Sequence, residues 1–255
     1  MLTAVLSPLW SELVVVLAGV AAGIANGIAG GGTFIAFPTL LALGAASITA
    51  NVTTSVGVLP SYVGGIRGYR HQLSAHRALV RRLVPSCVLG AITGCALLLA
   101  FPSSTFRAVL PFLVGVGTVL FGVAPLVTRR LAHVRHDHPG RRVSLAIGIF
   151  LVAIYGGYFG AGLGILLLAV MALTLPLDLA ELQGLRNALS VIINLCAGAV
   201  FLLRGHLIIR DVLGLMVGTL LGGVIGTSLL KRLPPAAVRV IIVAIGALTT
   251  VRLAW

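Results

Sequence analysis

Six predominantly apolar runs of membrane-spanning length dominate this chain of 255 residues. A helix needs about 20 apolar residues to cross roughly 30 Å of hydrocarbon. Inside lipid, every backbone polar group must be satisfied by the protein itself, which restricts spanning segments to helices or closed barrels. The runs cover 50–66, 79–100, 106–127, 185–203, 212–230 and 236–253. The sequence therefore predicts an all-α protein that crosses a membrane many times.

The low charge content excludes several classes of enzyme. Hydrophobic residues make up 59% of the chain and charged residues 9%. The five carboxylates are Glu12, Asp137, Asp178, Glu181 and Asp211. Glycosidases, two-metal nucleases and carboxylate proton-relay pumps would need nearly all of them at one site. No catalytic residue, metal site or cofactor is predicted.

The net charge of +13 is explained by membrane topology. In a soluble protein such an excess would indicate a nucleic-acid partner. Here the basic residues cluster in short gaps between apolar runs, above all in 67–82 and 128–142. Loops rich in Lys and Arg stay on the cytoplasmic side of a membrane. We therefore expect a lipid bilayer around the chain and no nucleic-acid partner.

Two further apolar stretches are interrupted by glycine. Residues 13–43 form a run of 31, too long for one straight crossing at about 1.5 Å per residue, and Gly30-Gly31-Gly32 interrupts it. The same pattern recurs in 143–176 around Gly160, Gly162 and Gly164. Consecutive glycines destabilise a helix by about 1 kcal/mol each. Each stretch is therefore predicted to contain a broken, re-entrant element.

The two interrupted stretches belong to an internal repeat. An offset of 130 relates Gly30 to Gly160, and an offset of 132 relates Pro102 to Pro234. The sequence thus predicts two homologous membrane halves, 1–127 and 143–255, joined by a basic cytoplasmic linker, 128–142.

The relative orientation of the halves depends on the broken elements. If each broken element enters and leaves the membrane on the same side, each half makes about three full crossings in addition to it, and the halves are inverted. If each broken element crosses the membrane once, the halves are parallel. The two topologies place 14 and 13 of the 18 basic residues on one side, which does not separate them. We favour inverted repeats because the segment 33–43 is short, and because Lys231 and Arg232 then face the cytoplasm.

The glycine breaks indicate a binding site near the bilayer midplane. Non-helical backbone at that depth must be buried in protein or line a wet cavity. Paired interruptions in two halves are typical of transporter sites, and a restarting helix offers N–H groups to an anion. The predicted anion-binding residues are Gly30, Gly31, Gly32, Thr33, Asn51, Thr53, Thr54, Ser55, Gly160, Gly162, Gly164, Arg186, Asn187, Ser190 and Asn194.

Each polar candidate also has a structural interpretation. The Ser, Thr and Asn side chains could hydrogen bond between helices, as in many membrane bundles. Arg186 could reach the interface, or form an ion pair with Asp178 or Glu181. Its planar guanidinium would also suit an oxyanion.

Both glycine-rich segments resemble one known family. GIANGIAGGGTFIAFPTLLALGAASITANVTTSVGVLPSYVGG is similar to the first signature of the TauE/SafE sulfite exporter family, and its break motif adds Asn26 to the candidate site. YGGYFGAGLG followed by QGLRNALSVIIN resembles the second-half repeat. The resemblance implies a bacterial cytoplasmic-membrane permease for small sulfur-containing anions, such as sulfite or organosulfonates. Leu163 stands where a glycine is more usual, so equivalence of the two half-sites is not implied.

Two other functional classes stay open at this point. A membrane-embedded enzyme acting on an anionic lipid or phosphoester could use His133, His136, Asp137 and His138 as metal ligands, although their spacing matches no ordered zinc motif. A membrane scaffold without a substrate is the other class. The sequence leaves open the substrate, the direction and energy coupling of transport, and whether the protein is a monomer or a homodimer.

Overall fold

The computed structural model describes residues 8–28, 30–131, 141–204, 207–229 and 235–255. These residues form twelve helices and no strand, which confirms the all-α prediction. The helices are α1 (Pro8–Ile28), α2 (Thr33–Ala42), α3 (Ser47–Gly57), α4 (Leu59–Gly68), α5 (Arg70–Ala75), α6 (Arg77–Ala100), α7 (Ser103–Leu131), α8 (Arg141–Tyr158), α9 (Leu163–Thr174), α10 (Leu179–Arg204), α11 (Ile209–Leu229) and α12 (Pro235–Ala254).

Six helices in the described part of the chain are long and apolar enough to span a membrane. They are α1, α6, α7, α8, α10 and α12. Large apolar side chains on their outer faces are exposed, among them Phe112 at 69% and Leu203 at 87%. Contiguous exposed apolar surface of this kind is suited to lipid and not to water. The protein is therefore a multi-pass membrane protein.

The predicted glycine breaks are present in the structure. α2 has 10 residues and α9 has 12, so both are too short to span a membrane alone. Gly30, Gly160 and Gly162 have φ values of +80°, +78° and +76°. This left-handed region costs other residues about 1–2 kcal/mol. Glycine at these positions lets the chain leave one helix and start the next.

Both short helices reverse the direction of the helix before them. In the second half, Gly156 of α8 packs against Leu163 of α9, and Gly148 packs against Val170. α9 therefore runs back along α8. In the first half, Gly32 lies against the Ala22 carbonyl of α1, at the point where the chain turns.

The predicted single span over 50–66 is wrong. The helix is interrupted at Val58, because Pro60 carries no backbone N–H and cannot continue the hydrogen-bond ladder. The Thr219 hydroxyl of α11 donates a hydrogen bond of 2.8 Å to the freed Gly57 carbonyl. A side chain from a neighbouring helix thus satisfies the backbone of the kink, as a membrane interior requires.

Pairs of glycine-rich helices cross between the two predicted halves. Gly19 of α1 packs against Gly218 of α11, and Gly23 packs against Gly223. These contacts show that α1 and α11 run in the same direction. α6 and α8 do the same, since Ala91 packs against Gly157 and Gly90 against Ala153. Small residues at such positions let two helix backbones approach closely.

Two sets of helices that the predicted repeat would pair run antiparallel where they touch. Gly115 of α7 packs against Thr250 of α12, and Gly122 packs against Val243. α3 and α4 run opposite to α10, because Val56 meets Gly198 and Tyr69 meets Gly184. Phe106 near the start of α7 packs against Tyr158 at the end of α8, so α7 begins where α6 and α8 end and runs opposite to them. α6, α8 and α12 therefore begin at one end of the protein, and α12 ends at the other.

These directions predict that the two ends of the second half face opposite sides of the membrane. A reporter fused after Arg142 should read cytoplasmic in a bacterial host, because the basic loops lie at that end. A reporter fused after Trp255 should read periplasmic. Paired alkaline phosphatase and green fluorescent protein fusions measure both positions, and two fusions with the same sidedness would contradict the helix directions.

Candidate functional site

Arg186 lies in the interior of the protein. It belongs to α10 and is only 2% exposed, so it does not extend to the membrane interface. Glu181 pairs instead with His76, with 2.8 Å between Nε2 and Oε1. Asp178 Oδ1 accepts the Glu181 amide at 2.7 Å. The interfacial and ion-pair interpretations of Arg186 are therefore wrong.

The guanidinium of Arg186 is only partly satisfied. Its Nη2 donates to Asn187 Oδ1 at 2.9 Å and to the Asn26 carbonyl at 3.4 Å. Its Nε and Nη1 have no hydrogen-bond partner among the described residues. Arginine keeps its charge in proteins, and a buried charge without a counter-ion costs several kcal/mol. This arrangement favours an anion beside the guanidinium.

One glycine from each break makes room for this side chain. A Cβ added to Gly30 would lie 2.7 Å from Arg186 Nη1, and one added to Gly164 would lie 3.2 Å from its Cδ. Gly30 follows α1 and Gly164 lies in the first turn of α9, so the two predicted halves meet around a single arginine. The glycines therefore place backbone, and no side chain, against the unpartnered donors.

Asn26 holds the first break in place. Its Oδ1 accepts the Gly32 amide at 2.7 Å, and its Nδ2 donates to Ser61 Oγ at 2.9 Å. Ser61 donates in turn to the Val58 carbonyl at 2.6 Å. A buried polar network thus joins the break after α1 to the kink between α3 and α4, and it holds Gly30 beside Arg186.

The start of α2 adds a second positive feature to this region. Thr33 is its first residue, three positions after Gly30, and the N-terminus of a helix carries partial positive charge. The buried Tyr62 lies within electrostatic range of Arg186. The positive end of α2 and the guanidinium would both attract an anion bound between them.

A related but uncharged cluster surrounds the second break. Asn51 Nδ2 donates to the Tyr158 carbonyl at 2.9 Å, where α8 ends. Ser55 Oγ donates to the Asn51 carbonyl at 2.9 Å, and a Cβ added to Gly160 would lie 3.6 Å from that hydroxyl oxygen. α3 of the first half therefore packs at the second break, while α10 of the second half packs at the first.

The two crossing helices carry a shared short motif. Asn51 and Thr54 in α3 recur as Asn187 and Ser190 in α10, at an offset of 136. Asn51 Oδ1, Thr54 Oγ1 and Ser190 Oγ are buried and have no hydrogen-bond partner among the described residues. Residues three apart share a helix face. Each helix thus presents an amide and a hydroxyl together.

Four predicted site residues make packing or local contacts. Gly31 lies against the Phe121 ring, and Gly162 lies against Phe34. Thr53 accepts the Ile208 amide at 3.3 Å, and Asn194 donates to the Ser190 carbonyl at 2.8 Å. None of these contacts involves Arg186.

Two buried residues beside the site were not predicted. Ser61 and Tyr62 sit next to Pro60, inside what the sequence presents as a single apolar run. The signal that could have identified them is a polar pair next to a proline in a spanning segment, where freed backbone groups need partners.

The alternative metal site cannot be placed in the structure. His133, His136, Asp137 and His138 lie outside the described residues, as do Lys231 and Arg232. Within the described ranges, no group of three His, Cys, Asp or Glu side chains could hold a metal ion.

Comparison with known proteins gives two matches of wide coverage. The family model described as Sulfite exporter TauE/SafE matches residues 15–253. A protein of Haemophilus influenzae, named probable membrane transporter protein, is 22% identical over 229 residues. That alignment covers 89% of this chain and 88% of the relative. Both matches extend across the two glycine breaks and the helix that carries Arg186.

The contact between Gly30 and Arg186 predicts an effect of Gly30→Ala on anion binding. The methyl group would displace the guanidinium, and the left-handed backbone would add about 1–2 kcal/mol of strain. Gly44→Ala is the matched control, because Gly44 also has positive φ, +90°, but lies in an exposed turn.

Both variants should lower the melting temperature, whereas only Gly30→Ala should weaken sulfite binding, by roughly tenfold or more if one charged hydrogen bond is lost. Isothermal titration calorimetry in detergent measures the affinity. Equal affinity in the two variants would show that Gly30 does not shape the site.

Proposed function

The chain belongs to the sulfite exporter TauE/SafE family of membrane transporters, and on this basis we propose that it moves small sulfur-containing anions across a bacterial cytoplasmic membrane. Sulfite and organosulfonates are the proposed substrates. As a member of this family, the protein is a transporter and not an enzyme. The observation that carries the proposal is the buried Arg186, which has two unpartnered guanidinium nitrogens and no carboxylate partner among the described residues.

The chemistry of the substrate matches this environment. A guanidinium is planar and presents several N–H donors to the oxygens of an oxyanion. Such charge-assisted hydrogen bonds are about twice as strong as neutral ones. Sulfite and sulfonates each carry three oxygens on one sulfur, so one anion can accept from Arg186 and from hydroxyl or backbone donors together. We place the anion between Arg186, Asn187 and the N-terminus of α2.

The proposed midplane site extends to both glycine breaks. The first break supplies Gly30 and Thr33, and α10 supplies Arg186 and Ser190. The second break contributes Gly160 and Gly164, beside the uncharged cluster of Asn51, Thr54 and Ser55. Because the unpartnered Nη1 of Arg186 lies against Gly30 of the first break, and the cluster at the second break is uncharged, we infer that the anion binds at the first break and that the second cluster lines its path.

We further propose that the two halves, 1–127 and 143–255, are inverted repeats. The antiparallel contacts of α7 with α12, and of α3 and α4 with α10, support this arrangement. Each half also contributes a crossing helix to the break of the other half. Inverted halves around a midplane site allow one half to rock against the other, which opens the site to each side in turn.

Removal of the charge at position 186 should weaken binding without abolishing it. We expect Arg186→Gln to raise the Kd for sulfite and methanesulfonate roughly tenfold to a hundredfold, because a hydrogen bond to a charged group contributes about 1.5–3 kcal/mol. Asn187→Ala and Asn51→Ala should each have a smaller effect. Calorimetry in detergent gives the affinities, and sulfite efflux from proteoliposomes gives transport.

Two controls make this test specific. Arg252→Gln removes an equal charge from an exposed position at the end of α12 and should leave affinity unchanged. Dimethyl sulfone, a neutral molecule of nearly the same shape as methanesulfonate, should bind neither the wild type nor the variants. Unchanged affinity in Arg186→Gln would assign that residue a structural role, and unchanged affinity in all three site variants would place the site elsewhere.

A further inference from the structure

A second basic cavity lies far from the glycine breaks, between the first turns of α6 and α8. Its volume is about 320 Å³. Arg82, Arg141 and Arg142 line one part of it together with His76, whose ring is paired with Glu181. The rest is mainly apolar, with leucines that include Leu83 and Leu145. A wall of this composition suits a ligand that is anionic at one end and apolar at the other.

The position of the cavity corresponds to the membrane interface. α6 and α8 are parallel spanning helices, so their first turns lie at the same end of the protein. This is also the end where the basic loops lie and where Arg142 is expected to be cytoplasmic. Lipid headgroups occupy this depth of a bilayer.

Within the described residues, Arg82 and Arg142 have no carboxylate partner. Glu181 pairs with His76, and Glu12 pairs with Arg210 at the other end of the protein. Arg82 and Arg142 therefore bring positive charge to a partly apolar cavity, with no ion pair to any carboxylate in the described ranges.

Exposed apolar side chains continue from the cavity towards the membrane interior. On α6, Leu89 is 59% exposed and lies seven residues after Arg82, on the same helix face. On α8, Val143 and Ile147 are 63% and 54% exposed and lie four residues apart. These faces extend below the arginines in the direction that acyl chains would take.

We propose that this cavity binds one anionic phospholipid. Its phosphate lies between Arg82 and Arg142, and its acyl chains follow the exposed faces of α6 and α8. Basic pockets between membrane helices are suited to such headgroups. Because α6 belongs to the first proposed half and α8 to the second, the bound lipid bridges the two halves and stabilises their contact.

The test compares lipids on the purified full-length protein in detergent. Phosphatidylglycerol should raise the melting temperature by several degrees, and phosphatidylcholine at the same concentration should not. The double variant Arg82→Gln/Arg142→Gln should lose this increase. Arg77→Gln/Arg81→Gln is the matched control, because it removes the same amount of charge at the same end of the protein but outside the cavity, and it should keep the increase.

Three outcomes would overturn the proposal. Equal loss of the melting-temperature increase in both double variants would indicate that the lipid responds to the overall positive charge of this end of the protein and not to the cavity. If glycerol 3-phosphate or inorganic phosphate raised the melting temperature as much as phosphatidylglycerol does, the cavity would be a site for small anions and not for a lipid. No phosphatidylglycerol retained on the wild type in native mass spectra would exclude a bound lipid, whether or not the first double variant folds. None of these readouts involves sulfite, so they do not depend on the proposed transport substrate.

Discussion

The fold depends on one constraint: wherever a helix breaks inside the bilayer, another part of the protein must satisfy the freed backbone groups. The chain meets this constraint with single polar side chains from otherwise apolar helices. Asn26 accepts the Gly32 amide, Thr219 donates to the Gly57 carbonyl, and Asn51 donates to the Tyr158 carbonyl. Thr219 and Asn51 reach their carbonyls from distant helices, and Asn26 also donates to Ser61 of α4, so each break brings helices from different parts of the chain together.

Arg186 stands out because its requirements are not met within the described residues. Asn51, Thr54 and Ser190 also keep an unpartnered oxygen, but they are neutral, whereas the guanidinium carries a charge and keeps two unpartnered nitrogens. A charge left in this state is costly in a stable structure but useful in a transporter, which must hold its substrate reversibly. The break at Gly30 leaves backbone exposed beside Arg186. Because Gly30 has no side chain, it also provides the space that the arginine occupies.

Much of the site could be predicted because glycine breaks and polar residues stand out in apolar sequence. Gly30, Gly160 and Arg186 were identifiable in this way. The kink at Val58 was missed, although Pro60 is visible, because apolar composition alone does not separate one helix from two. The packing of Gly31 against Phe121 joins residues 90 positions apart in the chain, and no local pattern reports such a contact.

The sequence by itself determined the membrane environment, the two interruptions and the family, because these follow from local apolarity, glycine content and motif spacing. Only the tertiary structure decided which helix meets which break, and that Glu181 pairs with His76 and leaves Arg186 without an acid. The reason is physical. Local composition sets whether a segment can leave water or continue as a helix, whereas the partner of a buried charge depends on which distant helices pack beside it.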